Sequence, residues 1–297
     1  MALPSAGSSI SLQQVNVELG NTGTDAINMG SSAVRTLFDD ASGAISMSDG
    51  FGKSNELGLT ASAASSANLK TLFDNNTAGS WAGSTSKRYT IGASTTMGII
   101  TAPASMGGTL TIDLAGNIQG VAGSANGGAG GTAMTVQSTG ITINMASGST
   151  ISGGGGGGGQ GGTGANFTFY TCSSDSWKQS CAVVGQCEGG DSNVFLCTYY
   201  GGGGGAGGIG QGYGQSAANG SGGGGGSHHL AGVGGTGGNG GAFGAAGANG
   251  ATGANSYTHS GSGGSSGGAA GRAITFSGVS AYDIIGTDNG TINGAYN

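Results

Sequence analysis

The sequence predicts a mainly β protein that carries a bundle of polyglycine II helices and a small helical module at its N-terminus. Glycine accounts for 73 of the 297 residues and is concentrated in residues 153–271. Short runs rich in threonine and β-branched residues, which favour strands, precede this tract. Only 7% of the residues are charged, against about a quarter in ordinary globular proteins. A conventional core is therefore expected only outside the tract.

The glycine-rich tract, residues 153–272, has a period of three. Residues 232–255 form eight consecutive triplets that each begin with glycine. This period matches neither an α-helix nor a strand, but it is that of a left-handed polyproline II helix, which has no internal hydrogen bonds. Several such helices side by side can bond to one another. A flexible linker is the alternative. Collagen is not indicated, because Pro4 and Pro103 are the only prolines.

The longest triplet run is expected to bend. As one helix its 24 residues would span roughly 75 Å, far more than the other tracts. We therefore expect a bend near Ala242 and Phe243. If the tracts run antiparallel, the inserts at 166–200 and 227–231 are expected at one end and the insert at 211–219 at the other.

Residues 1–60 are predicted to form an attachment module with a weak internal repeat. An isoleucine is followed by Ser or Asn and then by Leu or Met at three places: Ile10-Ser11-Leu12, Ile27-Asn28-Met29 and Ile45-Ser46-Met47. The repeat indicates a compact module with three equivalent faces, suited to a threefold partner. Three unrelated helical turns are the alternative.

Capping signals place short helices in this module. Ser11 precedes Gln14, and Ser46 precedes Asp49, at the three-residue spacing of a capping box. Between them, Ser32 is expected to cap a helix that ends at 38.

Residues 61–152 are predicted to form a β-rich domain, either a β-sandwich or a β-solenoid. Its strand-like runs lie at 88–91, 98–101, 109–114, 134–136 and 141–143. A related phrase surrounds Ile118, Ile151 and Ile292, in which a turn residue precedes the isoleucine and a polar residue and glycine follow it. Because the phrase recurs on both sides of the tract, residues 273–297 are expected to return to this domain as strands.

The insert at 166–200 holds all four cysteines: Cys172, Cys181, Cys187 and Cys197. No two have the close spacing typical of structural zinc sites, so two disulfides are predicted rather than a metal. Nested pairing of Cys172 with Cys197 and Cys181 with Cys187 is favoured, although three pairings are formally possible. Disulfides would form after release from the cytosol.

Aromatic and histidine residues in the inserts are the predicted receptor-binding residues. Tyr and Trp give large, rigid contact surfaces at low entropic cost. The predicted residues are Tyr170, Trp177, Tyr199, Tyr200, Tyr213, His228, His229, Tyr257 and His259. A small aromatic core is the alternative for the aromatic residues of the insert at 166–200. Polar loop tips are favoured over a metal site for the histidines, since no acidic or thiolate partner lies near them in the sequence.

Composition and motifs argue against several classes of function. A net charge of −6 with seven Lys plus Arg argues against nucleic acid binding. The sequence shows neither a signal peptide nor an apolar run near 18 residues, so membrane insertion is not expected. It contains no H-E-x-x-H or Walker motif and no G-x-S-x-G nucleophile elbow between a strand and a helix. We therefore expect no enzyme and no cofactor; a surface-glycan hydrolase is the remaining enzymatic alternative.

Both ends of the sequence resemble a known group of proteins. MALPSAGSSISLQQVNVELG and DASGAISMSDGFGKS are similar to the start of many tail and fibre proteins of tailed bacteriophages. Glycine-rich runs with variable inserts, ending in GGAAGRAITFSG, resemble the glycine-rich tail-fibre adhesins of T-even-like phages and the distal regions of phage tail-tip proteins.

This resemblance implies a receptor-binding adhesin in the virion, assembled in the host cytoplasm and released by lysis. It implies an N-terminal domain that caps a trimeric fibre or tail-tip protein, and a polyglycine II lattice whose loops contact outer-membrane proteins or surface sugars. Those loops would be at 166–200, 211–219, 227–231 and 256–260. The β-rich middle and the cysteines depart from the pattern and leave a homotrimeric fibre subunit open. A structural virion or filament subunit without receptor contact is the alternative function.

Overall fold

The computed structural model describes residues 3–53, 55–76, 81–173, 180–279 and 285–296. Within these ranges the chain is mainly β, with three short α-helices and one 3-10 helix. None of these helices has the length and apolar character needed to cross a membrane. The helices are α1 (Leu12–Glu18), α2 (Ser32–Phe38) and α3 (Leu69–Asn76), and the 3-10 helix is Met47–Gly50.

The N-terminal helices pack around a small core of their own, whose buried residues are Leu3, Val15, Val34, Leu37 and Phe38. The capping boxes predicted at Ser11 and Ser46 are both formed. The predicted cap of α2 at Ser32 was wrong by one residue. Ser31 is the N-cap, because its hydroxyl accepts from the Val34 N–H, three residues on, at 3.4 Å.

The strands are short, and most consist of three to six residues. In chain order they are β1 (Glu56–Thr60), β2 (Ser66–Asn68), β3 (Ser86–Ile91), β4 (Thr96–Met97), β5 (Ile99–Ala102), β6 (Leu110–Leu114), β7 (Asn117–Gln119), β8 (Met134–Val136), β9 (Ile141–Met145), β10 (Thr150–Ser152), β11 (Phe167–Ser173), β12 (Cys181–Gln186), β13 (Asn193–Tyr199), β14 (Ile274–Phe276), β15 (Ile285–Asp288) and β16 (Thr291–Asn293).

Three parallel sheets form a β-solenoid, in which each turn of the chain adds a strand to a sheet. Their strand orders are β1-β3-β6-β9-β15, β4-β7-β10-β16 and β2-β5-β8-β14. Successive strands of each sheet pair in parallel. Sandwich sheets are antiparallel, so of the two architectures that the sequence left open the strand pairing is that of a solenoid.

Residues in register build the solenoid core. Ile118 of β7 pairs with Ile151 of β10, which pairs with Ile292 of β16. These are the isoleucines of the recurring phrase, and the first two are fully buried. The period-two alternation of each strand places one face inside the coil. The strands that follow the glycine-rich tract thus stack on those that precede it.

The glycine-rich tract is one long insertion between β10 and β14, within the fourth turn of the solenoid. In this described part of the chain it contains six extended segments without helix or strand: 153–165, 201–211, 218–226, 232–241, 245–254 and 261–271. Segment 153–165 is bonded to four of the other five. It is the central segment of the tract.

Backbone hydrogen bonds between the segments repeat every three residues. The N–H groups of residues 155, 158, 161 and 164 donate to the carbonyls of residues 211, 208, 205 and 202 at 2.7–2.9 Å. The next phase, residues 156, 159, 162 and 165, donates to residues 245, 248, 251 and 254 at 2.8–3.0 Å. Successive residues of one segment therefore bond to different neighbours.

Close approach of backbones explains the glycine content. A Cβ added to Gly158 would lie 1.9 Å from the carbonyl oxygen of Gly238, which no side chain tolerates. In the central segment, the two exposed residues are Gln160 and Thr163, which are three residues apart and lie on the same side of the segment. Nearer the solenoid, the loop 120–131 covers this side, since Gly154 donates to Gly131 at 2.9 Å.

The expected bend in the longest triplet run is confirmed. Residues 232–241 and 245–254 are separate segments joined by a turn in which Ala245 N–H donates to Ala242 O at 3.0 Å. Gly244 has φ of 65°, a left-handed conformation that favours glycine. The two halves run antiparallel and bond to each other, for example from Ala251 to Thr236 at 2.8 Å.

Candidate functional site

The direction of the segments decides which inserts meet. The central segment begins at the solenoid, where Gly153 donates to Asn293 at 2.9 Å, and ends at Ala165, which accepts from Gly232 at 2.9 Å. Its antiparallel neighbours return to the solenoid, so the turns between segments alternate between two ends. Residues 166–173, 180–200, 227–231 and 255–260 lie together at the end remote from the solenoid. We call these residues the tip.

The turn at 212–217 lies at the opposite end, against the solenoid. Tyr213 donates its N–H to Gly120 O at 3.0 Å, and Gly210 donates to Gly123 O at 2.9 Å. Tyr213 was predicted as a receptor-binding residue, but the structure does not bring it together with the tip residues. The arrangement agrees with the expectation that 211–219 and 227–231 occupy opposite ends.

The largest insert of the tip is an antiparallel sheet in the order β11-β13-β12. Strands β11 and β13 pair with each other over seven residues. Strand β13 lies in the centre of this sheet and pairs with β11 on one side and with β12 on the other. Phe195 and Cys197, both on β13, are buried within the insert.

The two disulfides join Cys172 to Cys187 and Cys181 to Cys197. The favoured nested pairing of Cys172 with Cys197 and Cys181 with Cys187 was wrong. In the strand register Cys172 faces Val194, whereas Cys197 directly faces Cys181 across the β12–β13 ladder. The Cα atoms of that facing pair are 4.0 Å apart.

A row of rings joins two inserts of the tip. Phe167 and Phe169 lie on β11, and the ring centroid of Phe169 is 5.5 Å from that of Tyr199 at the end of β13. Tyr199 stacks on His228 of the 227–231 turn at 4.2 Å, and His228 lies 4.0 Å from His229. Tyr199 is half-buried in this cluster, which corresponds to the small aromatic core that the sequence left open for the aromatic residues of this insert. The alternation of aromatics along β11 was the signal for Phe167 and Phe169, which were not among the predicted site residues.

The third turn of the tip is bonded to the first insert. Ser256 Oγ donates to Asn166 O at 2.7 Å, and it accepts the N–H of His259 at 3.0 Å. These bonds form a tight turn that projects Tyr257, which is 88% exposed. His259 Nδ1 lies 2.7 Å from the Thr258 hydroxyl, away from the other two histidines in the sequence.

Exposed apolar side chains mark the outer surface of the tip. Tyr170 is 71% exposed and Tyr200 is 59% exposed. Val183 and Val184 on β12 are more than half exposed, and sequence reasoning did not select them. Trp177 lies outside the described residues. Residues 180–271 contain no Lys or Arg, while Glu188 and Asp191 are acidic.

Among the residues that the structure describes, no three His, Cys, Asp or Glu side chains are placed to hold a metal ion. The described residues of the tip offer stacking on aromatic rings, apolar contact with the valines, and hydrogen bonding by phenol, hydroxyl and amide groups.

No protein-family model matches the sequence, and no curated protein is significantly similar to it. Among solved structures, the chain is similar to the gp37–gp38 adhesin tip complex of the long tail fibre of bacteriophage S16. The two are 18% identical, the match covers 89% of this chain and 92% of that chain, and the TM-score is 0.40. Similarity of this degree does not establish a shared fold.

Proposed function

We propose that the glycine-rich segments are polyglycine II helices packed into a bundle. Three observations support this: the three-residue period of the hydrogen bonds, the change of partner from one residue to the next, and backbone contacts too close for any Cβ. In this conformation each residue rises about 3.1 Å. The central segment would then hold the tip roughly 40 Å from the solenoid.

The tip, in this proposal, binds a receptor on the surface of a bacterial host, and the chain is a non-catalytic adhesin of a phage tail fibre. The observation that carries it is the collection of three inserts, with Tyr170, Tyr200 and Tyr257 exposed, at the end remote from the solenoid. A rigid frame lowers the entropic cost of ordering the loops on binding. The resemblance of the N-terminal phrases to tail and fibre proteins supports the same role.

The receptor is an outer-membrane protein or a surface glycan, since phenol rings and hydroxyl groups suit both. The N-terminal module and solenoid would attach the chain to a trimeric tail-fibre or tail-tip protein, or to two further copies in a homotrimer. The chain would then be part of the virion, assembled in the host cytoplasm and released by lysis.

Binding of the fluorescently labelled chain to a panel of intact Gram-negative strains tests this function. We expect binding to a subset of strains. On those strains Tyr257→Ala and Tyr200→Ala should weaken binding, by up to about 30-fold for a central contact. Tyr213→Ala is the matched control, because Tyr213 lies at the solenoid end, and should bind like the parent chain.

Pretreatment of the cells separates the two receptor classes. Protease removes a protein receptor, and periodate oxidation removes a glycan. Absence of binding to every strain, together with sedimentation as a long polymer, would favour the structural virion or filament subunit instead. Equal loss of binding in the tip and control variants would also count against the proposal.

A further inference from the structure

Strand β12 is an edge strand that has little apolar contact with the rest of the tip. After the half-buried Cys181, each of its residues is exposed, and Val183 and Val184 are 58% and 52% exposed. Its ladder to β13 is interrupted by a register shift between Val183 and Gly185. Edge strands are normally held by side-chain packing on one face. Because the side chains of β12 are mostly exposed, their burial contributes little to keeping β12 paired with β13.

The two disulfides fasten both ends of β12. Cys181, its first residue, is bonded to Cys197 of the central strand. Cys187, which directly follows its last residue, is bonded to Cys172 of β11, on the far side of β13, with the Cα atoms 6.2 Å apart. The bridges close segments with sequence separations of 16 and 15 residues. All four cysteines of the chain are used in this way.

The rest of the tip does not depend on these bridges. Strands β11 and β13 pair over seven residues, from Phe167 with Tyr199 to Ser173 with Asn193. They continue directly into the bundle, where Gly201 donates to Asn166 Oδ1 at 2.9 Å. The bundle itself contains no cysteine. Reduction would therefore release residues 181–192 and leave the row of rings at Phe169, Tyr199 and His228 in place.

We propose that the tip is gated by oxidation: β12 docks on β13, and the outer surface of the tip is completed, only after both disulfides form. This inference rests on the proposed receptor-binding function for its consequence, but the docking itself does not. A reducing cytosol keeps thiols reduced, whereas extracellular media oxidise them. The chain would thus acquire its complete binding surface after release from the cell.

The chemistry balances with a small-molecule disulfide as oxidant. A cysteine thiolate attacks oxidised glutathione, forming a mixed disulfide and releasing one glutathione. The second cysteine thiolate attacks the protein sulfur of that mixed disulfide and releases the second glutathione. Each protein disulfide therefore costs one oxidised glutathione, which is reduced to two thiols that take up the two protons.

Hydrogen exchange of the full chain, with and without dithiothreitol, tests the docking. On reduction we expect amide protection in β12 to fall by about 100-fold, the factor for opening a closed loop of about 15 residues. Protection in segment 153–165 should not change. Unchanged protection of β12, or equal loss in the bundle, would overturn the proposal. Re-oxidation with oxidised glutathione should restore the original protection.

Paired substitutions assign the effect to each bridge. Cys181→Ala with Cys197→Ala, and Cys172→Ala with Cys187→Ala, should each raise exchange in β12 without added reductant. The oxidised and reduced chains are then compared for binding to the strains that bind the oxidised chain. If no strain binds either form, the receptor function fails, whereas the exchange result still decides the docking. If both forms bind equally, β12 is not part of the contact and gating of binding is wrong.

Discussion

The ring of His228 lies 4.2 Å from the ring of Tyr199, and the two planes are 9° apart. Tyr199 ends a strand of the cysteine-containing insert, whereas His228 belongs to a turn between two glycine-rich segments. The contact therefore joins two inserts that the bundle brings to one end.

This ring contact should be measurable as a coupling energy. In a double-mutant cycle with Tyr199→Ala and His228→Ala, we expect a coupling of about 0.5–1.5 kcal/mol, the usual value for stacked rings. Hydrogen exchange in β13 gives the opening free energy of each variant. Strictly additive effects would show that the two inserts are independent. His259→Ala, whose ring bonds to its own neighbour Thr258, serves as the control.

Buried glycines of the bundle should not tolerate alanine. Gly158→Ala places a Cβ 1.9 Å from the carbonyl oxygen of Gly238, and backbone atoms cannot move aside as a side chain would. We expect a loss of about 1–3 kcal/mol in the free energy of unfolding, as for other overpacked sites. Gly222→Ala is the matched control, since nothing lies within 4 Å of its added Cβ. Chemical denaturation measures both, and equal stability of the two variants would contradict close packing.

The N-terminal module should lose stability in acid. The Thr22 hydroxyl and N–H lower the pKa of Asp25, and the Ser46 N–H and hydroxyl lower the pKa of Asp49. A carboxyl whose folded-state pKa is depressed stabilises the fold above its ordinary value of 3.8, and this contribution is lost as the pH falls through the folded-state pKa.

Amide protection of residues 3–53, followed from pH 6 to about pH 2, checks this effect. We expect it to decline below about pH 4, and the decline should be smaller in the Asp49→Asn variant. Protection that is equally acid-sensitive in that variant would assign the effect to other groups.

Lys87 should be essential to one turn of the solenoid. Its buried ammonium donates to the carbonyls of Gly83, Thr85 and Gly107 at 2.8–2.9 Å. Burial lowers its pKa, and the nearby Asp74 carboxylate opposes this shift. Lys87→Met would leave these carbonyls without their donor, at a cost of about 1–3 kcal/mol for each one left unsatisfied.

Lys70→Met is the comparison, because Lys70 is half exposed in its ion pair with Asp74 and such pairs contribute about 0–1 kcal/mol. Thermal unfolding of the two variants decides the matter. Similar melting temperatures would contradict a structural role for the Lys87 ammonium.

Local signals in the sequence predict local structure, with an error of one residue at the cap of α2. The spacing of Ser11 and Gln14 predicts a helix start that the structure contains, because a capping box is satisfied within four residues. The length of the triplet run predicts the turn at Ala242 and Phe243, since one helix of that length would have no neighbours along most of its span. The recurring isoleucine phrase predicts which strands stack.

Non-local geometry could not be predicted in the same way. Period-two patterning places one face of a strand inside, but both a sandwich and a solenoid satisfy it. The disulfide pairing depends on β13 lying between β11 and β12, which no cysteine spacing reveals. Lys87 lies inside because three carbonyls converge on it, and a lysine in a polar strand gives no sign of that. The location of Tyr213 at the solenoid end follows only from the direction of each segment.

Hydroxyl-radical footprinting of the tyrosines determines whether the tip contacts the host. The disulfide-bonded chain is exposed to hydroxyl radicals in two states. In one it is free in solution, and in the other it is bound to outer-membrane vesicles of a strain that it recognises. We expect oxidation of Tyr170, Tyr200 and Tyr257 to fall on binding, while that of Tyr296, which is 54% exposed on the solenoid, is unchanged. Protection of Tyr296 with continued oxidation of the three tip tyrosines would contradict contact through the tip.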